Sequence, residues 1–112
     1  MWAPAKVTKS SAGTNTASYS LAGAGIVADL ISTAKNTGEA AGDTFNSIQN
    51  LTGSLFADEL WGSFGVNRID GGGGRDNLIG VGGNDILLGG GGRDRLYLGD
   101  GGNDTGFGGG GN

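Results

Sequence analysis

The chain has 112 residues, of which 27 are glycine and one is proline, and its net charge is −4. Abundant glycine with a single proline excludes a collagen triplet, and the absence of Cys and His excludes disulfides, thiolate metal sites and imidazole chemistry. Eleven carboxylates against seven Lys and Arg leave no basic stripe for nucleic acid and favour hard cations held by oxygen.

Residues 1–12 read as an N-terminal arm with a lone Trp2. No apolar h-region of a signal peptide follows Met1–Ser10, and no run approaches the ~20 apolar residues of a membrane span. Residues 13–52 read as irregular β coils that cap the repeats beyond them. Strands are predicted over Thr16–Leu21, Gly25–Leu30 and Thr44–Leu51, with alternation in Ile26–Leu30 and Phe45–Ile48. Gly38–Asp43 reads as a loop, and Asp29–Lys35 as a turn or two of helix.

From Gly53 the sequence repeats every nine residues as far as 112. Units begin at Gly53, Gly62, Gly71, Gly80 and Gly89, and again at Gly99 after an apparent extra residue at Leu98. Position six of the unit runs Asp58, Asn67, Asp76, Asp85, Asp94, Asp104. Position eight runs Leu60, Ile69, Leu78, Leu87, Leu96 and then Gly106. A flexible glycine linker would show neither column.

A nine-residue unit of this kind divides into a glycine-rich turn of six and a strand of three. The glycines serve sharp turns with positive φ. The strand points its position-eight side chain inward and its neighbours outward. Two units close one coil, so alternate units stack as parallel strands. Asp58, Asp76 and Asp94 then line one side, and Asn67, Asp85 and Asp104 the other. Carboxylates stacked at the ~4.8 Å strand spacing repel unless a cation lies between them. Calcium fits best, because it accepts six to eight oxygens, carbonyls included, whereas magnesium demands a stricter octahedron. The fold expected is all-β: a right-handed parallel β-roll (β-helix) with irregular N-terminal capping coils.

Gly71–Ile79 and Gly89–Tyr97 match G-G-x-G-x-D-x-U-x, with U a large apolar residue, at every specified position. The chain therefore resembles the RTX, or haemolysin-type, calcium-binding repeat family over 53–112. The resemblance implies two or more Ca2+ ions between stacked turns, held by position-six side chains and turn carbonyls. One site would use Asp76 and Asp94 with Gly71, Gly72, Gly74, Gly89, Gly90 and Gly92. The opposite side would use Asp85 and Asp104 with Gly80, Gly83, Gly99 and Gly102. Asn67 keeps an oxygen but loses a charge, so its stack is expected to bind more weakly. The turn carrying Asp58 lacks the glycines. Glycine chain entropy and aspartate repulsion, set against a small Leu/Ile core, imply folding coupled to calcium binding and a secreted, extracellular or cell-surface location, and the resemblance implies that it is reached by type I export.

Residues eighteen apart stack, so Trp61, Ile79 and Tyr97 form an outer stripe, and Ile86 and Leu88 an apolar spot on the other sheet. The stripe either packs under the chain's own arm or coils, or docks a protein partner or adjoining domain. Asp29, Asp43, Asp70 and Asp100 read as turn or solvated residues. Arg75, Arg93 and Arg95 read as surface balance for nearby aspartates rather than an anion site. Ser and Thr have no general base beside them, Glu39 and Glu59 offer no glycosidase pair, and the glycine runs lack a phosphate-loop Lys. No catalytic constellation is visible. The two functions consistent with this pattern are a structural or interaction subunit of a secreted assembly and the accessory module of a type I-secreted protease, lipase or alginate epimerase. The sequence stops within a repeat, so the roll is expected to continue or to be covered by a partner.

Overall fold

A strand of three residues turns only its middle side chain towards the core, and every described strand is that short. The computed structural model describes residues 14–45, 48–99 and 102–108. The predicted arm at 1–12 and Asp100 lie outside the described residues. The strands are β1 (Thr16–Ser18), β2 (Val27–Asp29), β3 (Asn50–Thr52), β4 (Glu59–Trp61), β5 (Arg68–Asp70), β6 (Asn77–Ile79), β7 (Ile86–Leu88), β8 (Arg95–Tyr97) and β9 (Thr105–Phe107). Odd-numbered strands form one sheet in the order β1-β3-β5-β7-β9, and even-numbered strands form the other, β2-β4-β6-β8. All neighbours within these sheets are parallel. The architecture is the expected parallel β-roll.

The register follows from the period. Leu60, Leu78 and Leu96 align across one sheet; Leu51, Ile69 and Leu87 align across the other. Leu60, Ile69, Leu78 and Leu87 are 0% exposed, whereas Leu96 is only partly buried. Gly106 ends the second column without a side chain, and methyls of Leu96 and Leu98 lie 3.2 and 3.3 Å from where its Cβ would be. The core is thus thin, one apolar side chain per strand, and thins further towards β9.

The N-terminal coils are larger. Here partners lie 34 residues apart for β1 with β3 and 32 apart at the start of β2 with β4, against 18 in the regular roll. The excess forms two 3-10 turns, Thr33–Lys35 and Gly38–Ala40. The first falls within the predicted helical turn; the second replaces part of the predicted loop. Ala17, Tyr19, Ala22, Ile26, Ala28, Ala40 and Ile48 close the core at this end. Of the predicted strand over Thr44–Leu51, Asn46 and Ser47 lie outside the described residues, and the described strand begins at Asn50.

Two aspartates expected to be turn or solvated residues are buried here. Asp43 accepts a 2.5 Å hydrogen bond from the Tyr19 hydroxyl, and burial with the Asp43 carboxylate pushes the Tyr19 phenol far above its usual range. Asp29 is a turn residue, accepting from the backbone N–H groups of Ile31 and Ser32, but it is 3% exposed and pairs with Lys35 at 3.5 Å. Asp70 is a turn residue as expected, accepting from Gly72 N–H.

Candidate metal centre

Stacking coils eighteen residues apart brings each position-six side chain under the backbone of the coil before it. The result is a ladder that sequence reasoning misses. Asp58 N–H donates to Asp76 Oδ1 at 2.8 Å, and Asp76 N–H donates to Asp94 Oδ1 at 2.9 Å. On the other side Asn67 N–H donates to Asp85 Oδ1 at 2.9 Å, and Asp85 N–H to Asp104 Oδ1 at 2.7 Å. One oxygen of each aspartate therefore splices two coils together. No sequence signal marks this role, because the donor is a backbone group.

The second oxygen is the one that points to a ligand. Oδ2 of Asp76, Asp85 and Asp94 is buried and has no hydrogen-bond partner. A buried acceptor left unmatched costs about 1–3 kcal/mol, more when charged. Burial pushes the Asp76 carboxyl up to about 7; the Asp58 N–H bond opposes this, and the Asp58 and Asp94 charges add to it. Asp85 is raised likewise by burial, against the Asn67 N–H bond and with help from the Asp104 charge. A cation beside each Oδ2 would relieve both the burial and the mutual repulsion.

The turn backbone supplies the rest. In turn 71–76, Gly72 and Gly74 have φ of 83°; in turn 89–94, Gly90 and Gly92 have φ of 82° and 89°. A side chain on Gly90 or Gly92 would run into the carbonyl oxygens of Gly72 and Gly74 in the stacked turn. That carbonyl packing explains why glycine is required at these two positions. Val81 takes the same left-handed conformation at φ 76°, a strain of about 1–3 kcal/mol for a non-glycine residue. Among the described residues, no three acidic side chains converge on one point. Any cation here must therefore draw on carbonyls as well as paired carboxylates, a hard, all-oxygen donor set suited to calcium.

The position-six residues named in the sequence stack coil on coil, and the glycines do so with one shift. Leu98 O faces Gly80, Gly99 stacks on Val81 and Gly102 on Gly83. The extra residue therefore falls between Gly99 and Gly102, not at Leu98. Asp58 and Asn67 join the ladder as donors, but their side chains have partners of their own in Ser54 and Ser63.

Residues 43–78, 70–101 and 79–112 match the RTX calcium-binding nonapeptide repeat, in four copies. The chain belongs to that family. No curated protein and no solved structure matches it. The RTX roll of this chain is a calcium-binding module, and the family match spans the stacked turns and the ladder alike.

The outer stripe also forms. Trp61, Ile79 and Tyr97 align in register across β4, β6 and β8 and, with Glu59 and Asn77, line a groove of about 410 Å³. Trp61 donates from Nε1 to Glu59 Oε2 at 2.7 Å, and Lys35 Nζ lies 4.3 Å from its ring centre. On the other sheet, Ile86 and Leu88 lie on the outer face, with Phe107 beside Leu88. Arg75, Arg93 and Arg95 gather around Asp94. Among the described residues the ion pair is Lys35 with Asp29, and the three arginines line an open cavity of about 370 Å³ with Asp94. No described helix is long and apolar enough to cross a membrane.

Proposed function

We propose that this module completes its fold only when it holds calcium, and that it serves as a structural or interaction part of a secreted or surface-attached assembly. The observation that carries the proposal is the row of buried, partnerless Oδ2 atoms on Asp76, Asp85 and Asp94. The thin core supports it, since one apolar side chain per strand offers little to offset glycine chain entropy and carboxylate repulsion. Binding free energy then becomes folding free energy. Calcium modules outside cells work at about 10⁻⁴–10⁻³ M, which would leave the ion-binding coils unfolded at cytosolic calcium and folded after export. Asp85, Asp104, Gly83 and Gly102 would hold an ion on one side, and Asp76, Asp94 and the glycine carbonyls between them on the other.

Circular dichroism during a calcium titration of chelator-treated protein tests this directly. A cooperative gain of β signal with calcium, and none with magnesium, is expected. A spectrum that is already β-rich in chelator and does not move would reject the coupling.

For the assembly role, the stripe is the docking face proposed, with Tyr97 49% exposed and Trp61 held flat by Glu59 and Lys35. Changing Trp61 and Tyr97 together to Ser is expected to release the module from its native complex on size-exclusion chromatography, with calcium content unchanged. Unaltered elution of the complex would discard this face as the contact.

A further inference from the structure

Two of the six turns differ from the rest. In 53–58 and 62–67 a serine stands at position two, and no residue of either turn has positive φ. Ser54 Oγ donates to Asp58 Oδ1 at 2.8 Å, and Ser54 N–H donates to Asp58 Oδ2 at 2.7 Å. Asp58 Oδ1 also accepts Ile26 N–H at 2.9 Å, so both oxygens are matched. The serine oxygen is itself engaged, accepting Phe56 N–H at 3.0 Å. In the next turn, Asn67 Oδ1 accepts Ser63 N–H at 2.8 Å, and Asn67 Nδ2 donates to Gln49 O at 2.6 Å and Ser63 Oγ at 3.1 Å. Neither Asp58 nor Asn67 has an orphan side-chain atom, in contrast to Asp76, Asp85 and Asp94.

We infer that Ser54 and Ser63 take the place of the cation in their turns, so that ion uptake is confined to the turns from Gly71 onward. This rests on the calcium function proposed above and divides the roll into an ion-free half and an ion-dependent half. A cation entering the Asp58 turn would have to displace hydrogen bonds already made, in a backbone that lacks the left-handed glycines. At Asn67 it would also lose the anionic ligand. The serine turns sit directly on the capping coils, through Ile26 N–H to Asp58 and Asn67 Nδ2 to Gln49 O. The first coils are thus closed by hydrogen bonds alone and present a finished edge, β4 and β5, on which β6 and β7 can form when the ion arrives.

The test is calcium stoichiometry by isothermal titration calorimetry on the full chain. Asp58→Asn is expected to bind as many ions as the parent, and Asp76→Asn fewer. Ser63→Gly with Asn67→Asp restores the position-two glycine and the position-six acid and is expected to add one ion per chain; so is Ser54→Gly with Phe56→Gly. Loss of an ion in Asp58→Asn would overturn the inference, as would consensus-restored variants that bind no more than the parent. A parent that binds no calcium would instead remove the function on which the inference stands. Amide hydrogen exchange of the parent in chelator covers the case of variants that do not fold. Protection in β3–β5 with free exchange in β6–β9 is expected, and uniform exchange would overturn it.

Discussion

Asp76→Asn is expected to lower unfolding free energy in saturating calcium by about 3 kcal/mol, and to leave it equal or higher in chelator. The asymmetry follows from the two oxygens doing different jobs. The asparagine carbonyl can still accept Asp58 N–H, the bond that Asp76 Oδ1 makes at 2.8 Å. Asn67 shows that this position of the repeat accommodates an amide, which there bonds the preceding coil through Nδ2 to Gln49 O. What the substitution removes is the charge at Oδ2, which is buried without a partner. Without calcium that charge is a liability, because burial and the Asp58 and Asp94 carboxylates push the Asp76 carboxyl up to about 7. With calcium it is the ligand, and a site filled at about a hundred times its Kd contributes about 2.7 kcal/mol. Asp76→Ala is the control: it also orphans Asp58 N–H and adds a cost of about 1–3 kcal/mol in saturating calcium. Urea unfolding with calcium and with chelator checks the set. Equal losses for Asp76→Asn in the two conditions would mean that Asp76 serves only the ladder.

The sequence makes the roll legible because two demands recur at fixed positions. A strand that must bury one side chain shows it at position eight, and a turn that must face a cation shows an acid at position six. Leu60, Ile69, Leu78 and Leu87 are where that logic puts them, fully buried. The same logic fails where the chain solves the problem without repetition. The capping coils run 34 and 32 residues between stacked strands, so nothing in 13–52 announces which residues pair, and the described strand within the one predicted from Thr44 starts at Asn50. Asp43 reads as a loop acid because its partner, Tyr19, lies 24 residues away. The extra residue is misplaced by sequence because the glycines of 99–102 align equally well in two frames, and only the stacking of Gly99 on Val81 chooses between them.

The ladder and the serine turns are hidden for a different reason. Asp76 Oδ1 serves a backbone N–H, which every residue but proline carries, so no partner residue type reveals it. Ser54 and Ser63 stand in plain view at position two, but they read as imperfect repeats. Their hydroxyl and amide hydrogen bonds to Asp58 and Asn67 show that they complete those turns by another chemistry. A departure from a metal-binding repeat is therefore informative when the substituting residue can itself fill the acceptor.

The thinness of the core sets the second large effect. Leu78 is 0% exposed and lies in register between Leu60 and Leu96. Leu78→Ala leaves a gap in a column one side chain wide, where the flanking backbone is fixed by the parallel ladder and cannot close in. Leucine-to-alanine changes at rigid buried sites cost about 2–5 kcal/mol, a large part of the about 5–15 kcal/mol that holds a domain together. Calcium-saturated protein is expected to show that loss in urea unfolding. Leu96→Ala is expected to cost clearly less, since Leu96 is only partly buried and the column beyond it ends at a glycine on the facing sheet. The loss at Leu78 also falls between the serine-closed coils and the ion-dependent ones. Its variant should therefore need more calcium to reach half-folding, shifting the midpoint of the titration upward, while the protection of β3–β5 in chelator stays as in the parent. Equal costs at Leu78 and Leu96 would show that the ions, and not the apolar column, carry the stability of the outer coils.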